Sequence, residues 1–105
     1  MTPAAAEPRT DPAPAELALE SVLHALSDPV RLQIVRTLAA EPDGRPCGTF
    51  GLPVSKSTAS HHFRVLREAG VIAQEARGRE RLTTLRRDDL DARFPGLLGS
   101  ILAAA

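Results

Sequence analysis

The chain has no tryptophan, no tyrosine and only three phenylalanines among its 105 residues. A core must therefore be assembled from Leu, Val, Ile and Ala, side chains that suit helices better than a large sheet. One cysteine, Cys47, excludes an intramolecular disulfide and any thiolate metal cage within one chain. That usage fits a reducing cytoplasm. No apolar run approaches the roughly 20 residues that span a bilayer. Residues 1–15 lack the basic-then-apolar order of a secretory signal. Net charge is also missing, with 13 basic and 13 acidic residues.

The charge is unevenly placed. Residues 1–53 and 88–105 are acidic on balance. Between them, Lys56, Arg64, Arg67, Arg77, Arg79, Arg81, Arg86 and Arg87 face only Glu68, Glu75 and Glu80. A basic middle between acidic flanks is the footprint of a phosphate-backbone binder, although a solvated charged surface would read the same way. Residues 1–15 hold four of the nine prolines. They are expected to form a disordered arm, leaving 16–105 as one folded domain.

Periodicity predicts a first helix over 15–26, with Leu19, Val22, Leu23 and Leu26 on one stripe. Asp28 before Pro29 reads as an N-cap followed by a first-turn proline. The helix it opens is expected to reach about residue 40, with Val30, Ile34, Val35 and Leu38 inward. Two prolines and a glycine make 41–46 a loop with nothing regular in it. Gly48, Gly51 and Pro53 leave at most a short helix over 47–54. A stronger helix follows over 57–69, with hydroxyls of Ser55, Ser57 and Thr58 near its start and Gly70 as terminator. Residues 71–86 read as a β-hairpin reversing at Gly78. A last helical stretch begins near Asp88, is interrupted at Pro95, and resumes with Leu97, Leu98, Ile101 and Leu102 as its apolar face. Asp88, Asp89 and Asp91 are expected at a helix start, where acids are favoured, rather than around an ion.

The order helix, helix, weak helix, helix, hairpin, helix is that of a winged helix-turn-helix. On a wheel at about 100° per residue, Ala59, Phe63 and Leu66 cluster inward with His62 at the edge. Ser57, His61, Arg64 and Glu68 face out. Arg can pair with guanine edges and Ser or Thr can reach bases or phosphates. The hairpin tip carries Arg77 and Arg79 with Arg81 nearby, suiting a wing laid on the backbone or in the minor groove. Candidate DNA-binding residues are therefore Lys56, Ser57, Thr58, Ser60, His61, Arg64, Arg77, Arg79 and Arg81. His24 reads as structural or interfacial, His62 as a packing residue with a polar contact, and Cys47 as a plain thiol.

Two segments carry a family resemblance. Residues 25–34, ALSDPVRLQI, resemble the "ALADPTRLRIL" opening of the ArsR/SmtB family of bacterial regulators. Residues 57–72, STASHHFRVLREAGVI, resemble that family's recognition-helix signature "STVSHHLKVLREAGLV". The resemblance spans about 16–90. It implies a mainly helical winged helix-turn-helix with a β-hairpin wing, paired into a homodimer through its first and last helices. The partner it implies is a palindromic double-stranded DNA operator, read by two recognition helices in major grooves about 34 Å apart. Repression of the chain's own operon is the implied output.

Two departures stand out. The family's paired-cysteine segment "ELCVCDL" is replaced by Arg45-Pro46-Cys47-Gly48-Thr49-Phe50-Gly51-Leu52, and the last segment carries no histidine. Neither motif-defined metal site is present, so no resident cofactor is expected. As trigger, a nickel or zinc ion at a non-standard site, a small molecule, a redox signal and a protein partner stay open. A protein-interaction module without DNA binding is the alternative function. An enzyme has no support, since no nucleophile–base pair, phosphate-cradling loop or metal triad stands out.

Overall fold

A computed structural model describes residues 11–105. The expectation for residues 1–10 lies outside the described residues. A 3-10 turn at Pro14–Glu16 leads into α1 (Leu19–Ala25), α2 (Pro29–Ala39) and a short strand β1 (Arg45–Pro46). A second 3-10 turn, Cys47–Thr49, precedes α3 (Lys56–Glu68). The hairpin of β2 (Ile72–Arg77) and β3 (Glu80–Leu85) follows, then α4 (Arg87–Arg93) and α5 (Leu97–Ala104). No described helix is long and apolar enough to cross a membrane.

The α1–α2 junction follows from Asp28. Its carboxylate accepts the backbone N–H groups of Val30 at 2.8 Å and Arg31 at 3.2 Å. Two first-turn donors that the helix cannot satisfy itself are thereby bonded, and Pro29 has no N–H to satisfy. Burial alone would raise the Asp28 pKa. The Arg31 and Val30 N–H bonds, with the Arg31 guanidinium adding attraction, instead hold it below the ordinary 3.8. A carboxyl depressed in the folded state contributes stability above its unfolded pKa and loses it as pH falls through the folded one. Asp28→Ala is therefore expected to cost about 1 kcal/mol in urea denaturation at pH 7. The gap to wild type should narrow below about pH 4.

Leu17, Val22, Ala25 and Leu26 meet Ile34, Val35 and Leu38 of α2 and Phe63 and Leu66 of α3 in one core. Val71, Ile72, Leu90 and Leu98 complete it. The stripe expected on α1 is half right. Val22 and Leu26 are buried, but Leu19 and Leu23 are each 44% exposed. Ala25 and Leu17 take the inward places instead, because Leu17 leaves the 3-10 turn in extended conformation and fills the space beside Gly70. Helix α1 accordingly begins at Leu19 rather than Ala15. Val30 is half-buried rather than inward. Residues 11–15 carry defined contacts: the Pro12 carbonyl accepts from Arg86 Nη1 at 2.8 Å, and Asp11 lies 3.4 Å from Arg67.

The stretch expected to hold nothing regular contributes the third strand of a sheet ordered β1-β3-β2, with Arg45 opposite Thr83 and Pro46 opposite Leu82. Arg45 organises this corner. It bonds Glu41 with its closest approach at 2.6 Å, donates to the Thr49 carbonyl at 2.8 Å, and lies over the Phe50 ring. The Glu41 hydrogen bond pushes its guanidinium pKa further up. Phe50 then packs edge-on against Phe63, ring centroids 5.2 Å apart. The first half of the helix-turn-helix is thus a 3-10 turn pinned by one arginine and one aromatic pair, with no α-helix at 47–54. Glycine is too frequent there for one.

Candidate nucleic-acid interface

Helix α3 starts where Ser55, in extended conformation, accepts the Thr58 N–H at 3.2 Å. The Ser55 hydroxyl also donates to Thr58 Oγ1 at 2.9 Å. The helix ends at Gly70, whose φ of 84° is the left-handed value expected of a terminator. Its inner face carries His62, Phe63 and Leu66, all buried. Lys56, Ser57, Thr58, Ser60, His61 and Arg64 are all exposed. The polar face read from the sequence is therefore the solvent face.

Strands β2 and β3 pair from Ile72↔Leu85 to Arg77↔Glu80. Gly78 at φ 62° takes the first turn position, the place of glycine in a type II′ reversal. Arg77, Arg79 and Arg81 are exposed along this wing. Arg77 lies 3.7 Å from Glu75, both side chains more than 60% exposed, so the pair is screened and weak. Arg79 and Lys56 have no side-chain partner among the described residues.

Between α3 and the wing lies an open groove of about 420 Å³. Ser57, Ser60, His61 and Arg64 line it from the helix, and Arg81 from β3. Lys56 and Thr58 stand at the helix start, and Arg77 and Arg79 at the wing tip, outside the groove lining. Arg64 Nη2 lies 3.2 Å from His61 Nδ1, so the imidazole nitrogen accepts and the two side chains hold each other.

Besides Phe63 of the core, the sequence reading missed three groove residues. Arg67 and Gln74 line it, as does half-buried Cys47. Gln74 is the joint. Its amide nitrogen donates to Thr83 Oγ1 at 3.1 Å, and its oxygen accepts from Arg67 and Arg81, each at 3.4 Å. One carboxamide thus ties the wing to the recognition helix. Arg67 could have been found, since it follows Ser60 and Arg64 at helical spacing. Gln74 could not, since its role depends on the strand register against α3.

Asp88 and Asp89 lie in the first turn of α4, as expected, but they accept no cap hydrogen bond there. Asp89 pairs with Arg86 at 3.0 Å and Asp91 with Arg87 at 3.6 Å. Among the described residues no group of three or more His, Cys, Asp or Glu is placed to hold a metal ion.

A helix-turn-helix domain family matches residues 26–75. An uncharacterized HTH-type transcriptional regulator of Bacillus subtilis, YceK, is 39% identical over 82 residues, covering 76% of this chain and 82% of its own. The chain belongs to the ArsR family of helix-turn-helix transcriptional regulators. Among solved structures, the transcriptional repressor BigR from Xylella fastidiosa is 25% identical, with TM-score 0.58 over 72% of this chain and 85% of its own. An ArsR family transcriptional regulator, RHA00566, shares the fold at TM-score 0.64 and 19% identity, covering 82% of this chain and 89% of its own. The mainly helical winged helix-turn-helix is thus established, and the family is one of DNA-binding transcriptional regulators rather than enzymes.

Proposed function

We propose that this ArsR-family regulator works as a homodimer that reads a palindromic double-stranded DNA operator and represses its own operon until a signal releases it. The observation that carries the reading is the convergence of Ser57, Ser60, His61, Arg64 and Arg81 on one groove between α3 and the wing. Helix α3 enters the major groove and presents these side chains to base edges. Lys56, Thr58, Arg77 and Arg79 contact phosphates on either side. The repressor direction is supported by similarity to BigR, described as a transcriptional repressor. A nickel or zinc trigger would need ligands from more than one protomer or from outside the described residues, since no three-ligand cluster occurs among the described residues.

The dimer reading is supported by apolar surface left uncovered. Among the described residues, Leu19 and Leu23 on α1 are the exposed large hydrophobics, and Leu97, Ile101 and Leu102 on α5 are only half-covered. A second copy laid against these helices would remove that surface from water, worth about 25 cal/mol per Å². Placing a charge there should oppose pairing with no effect on the protomer core. Leu23→Glu is expected to sediment as a folded monomer whose urea midpoint no longer rises with protein concentration, as the midpoint of a paired wild type should. It should bind a duplex selected from a random pool by wild type at least about 100-fold more weakly, because the second half-site is lost. A dimeric Leu23→Glu that binds as wild type would remove α1 from the interface.

A further inference from the structure

The reading face of α3 is set by how the helix is rotated, and its apolar contacts alone fix rotation poorly. Phe63, Leu66 and Ala69 bury area without direction. One directional contact lies on the inner face, between Arg31 and His62. Both are buried, at 7% and 8% exposure. Arg31 Nη1 is 3.1 Å from His62 Nδ1. Guanidinium has no acceptor, so it donates and Nδ1 accepts. That places the ring proton on Nε2, which faces Asp28 Oδ2 at 3.9 Å, too far for a hydrogen bond.

The other Arg31 donors reach back to the end of α1. Nε donates to the Ala25 carbonyl at 2.7 Å and Nη2 to the His24 carbonyl at 3.3 Å. The Arg31 backbone is in turn held by the Asp28 cap. One side chain on the first turn of α2 therefore binds the last carbonyls of α1 and one ring atom of α3. All three acceptors are neutral. Burying a guanidinium without a carboxylate at contact distance is costly, and a simple hydrophobic residue would pack at less cost.

We propose that Arg31 and His62 form a latch that fixes the rotation of the recognition helix, making His62 a positioning residue for sequence reading. It touches no base. It acts through Ser60, His61 and Arg64, its close neighbours on the opposite face, which must be held within about 0.5 Å and 10–20° to read base edges. This rests on the DNA-binding reading above. Phosphate contacts tolerate a rotated helix, whereas bidentate base contacts do not, so the latch governs selectivity rather than total affinity.

The test separates an acceptor at the Nδ1 position from mere bulk. In His62→Asn the amide oxygen sits two bonds from Cβ, as Nδ1 does, and keeps the bond to Arg31. In His62→Gln the amide lies one bond further out and loses it. Wild type and both variants would be titrated with a duplex selected from a random pool by wild type, and with a scrambled duplex of equal composition. Urea midpoints would be taken in parallel. The affinity ratio is expected to fall about tenfold in His62→Gln, the order of one charge-assisted hydrogen bond. It should stay within about threefold of wild type in His62→Asn, with scrambled-duplex binding unchanged throughout. Should His62→Gln not fold, Arg31→Lys, which keeps the charge but not the fork, carries the same tenfold expectation. An unchanged ratio in His62→Gln, or an equal fall in both His62 variants, would overturn the latch while leaving DNA binding intact. A wild type indifferent to every duplex would overturn the DNA-binding reading itself, and the latch's role with it.

Discussion

Arg64→Ala is expected to weaken binding to a selected operator by about 1–3 kcal/mol and to relax preference at one base position in each half-site. Arg64 is exposed on the outer face of α3, lines the groove, and is held by His61 at 3.2 Å. A guanidinium so placed can meet both acceptors of a guanine edge at once. Its loss should therefore show as altered specificity, with scrambled DNA bound nearly as before. Arg79→Ala should behave differently. Arg79 stands at the wing tip with no side-chain partner among the described residues. A phosphate contact there carries no sequence information, so its loss should weaken all duplexes alike and lower the salt slope by about one per site. Competition titrations against a panel of single-base operator variants distinguish the two outcomes. Equal behaviour of both variants would mean that the reading and backbone roles are assigned to the wrong surfaces.

Gly70→Val is expected to destabilise the fold by about 2–4 kcal/mol in urea denaturation, from a left-handed backbone penalty and from overpacking. Gly70 sits at φ 84° between the recognition helix and the wing. A Cβ there would fall on Leu17 Cδ2 and come within 2.9 Å of Pro12 Cγ. Both neighbours are wedged: Leu17 is buried, and the Pro12 carbonyl is tied to Arg86. Gly51→Ala provides the contrast. Gly51 has a comparable φ of 64° but open space around it, so only the backbone penalty of about 1–2 kcal/mol is expected. In a domain whose whole stability is about 5–15 kcal/mol, the Gly70 substitution should leave a measurable unfolded fraction on warming.

Local chemistry made much of this molecule readable in advance. Asp28 before Pro29 marks the start of α2 because a short carboxylate and a residue without an N–H solve the same terminal problem. Gly70 and Gly78 mark the end of α3 and the wing reversal because each must take positive φ. The outer face of α3 followed from its period. Elements that depend on distant partners were not readable. Strand β1 is two residues long, contains a proline, and exists only because Thr83 and Leu82 lie opposite. Leu19 and Leu23 form an apolar stripe as read, but periodicity reports that a face is apolar, not what covers it. Arg31 acquires a role only when α1 and α3 are placed on either side of it. Gln74 acquires its joint role only when β2 is laid beside α3.

The central claim is that α3 and the wing form one cationic surface seated on duplex DNA. Its most direct test is the salt dependence of wild-type binding to a selected duplex. Each neutralised phosphate contributes about −0.9 to the slope of log K against log salt, so two copies of the phosphate-facing Lys56, Arg77 and Arg79 give a slope of about −5. A slope near zero, or no binding at low salt, would contradict it.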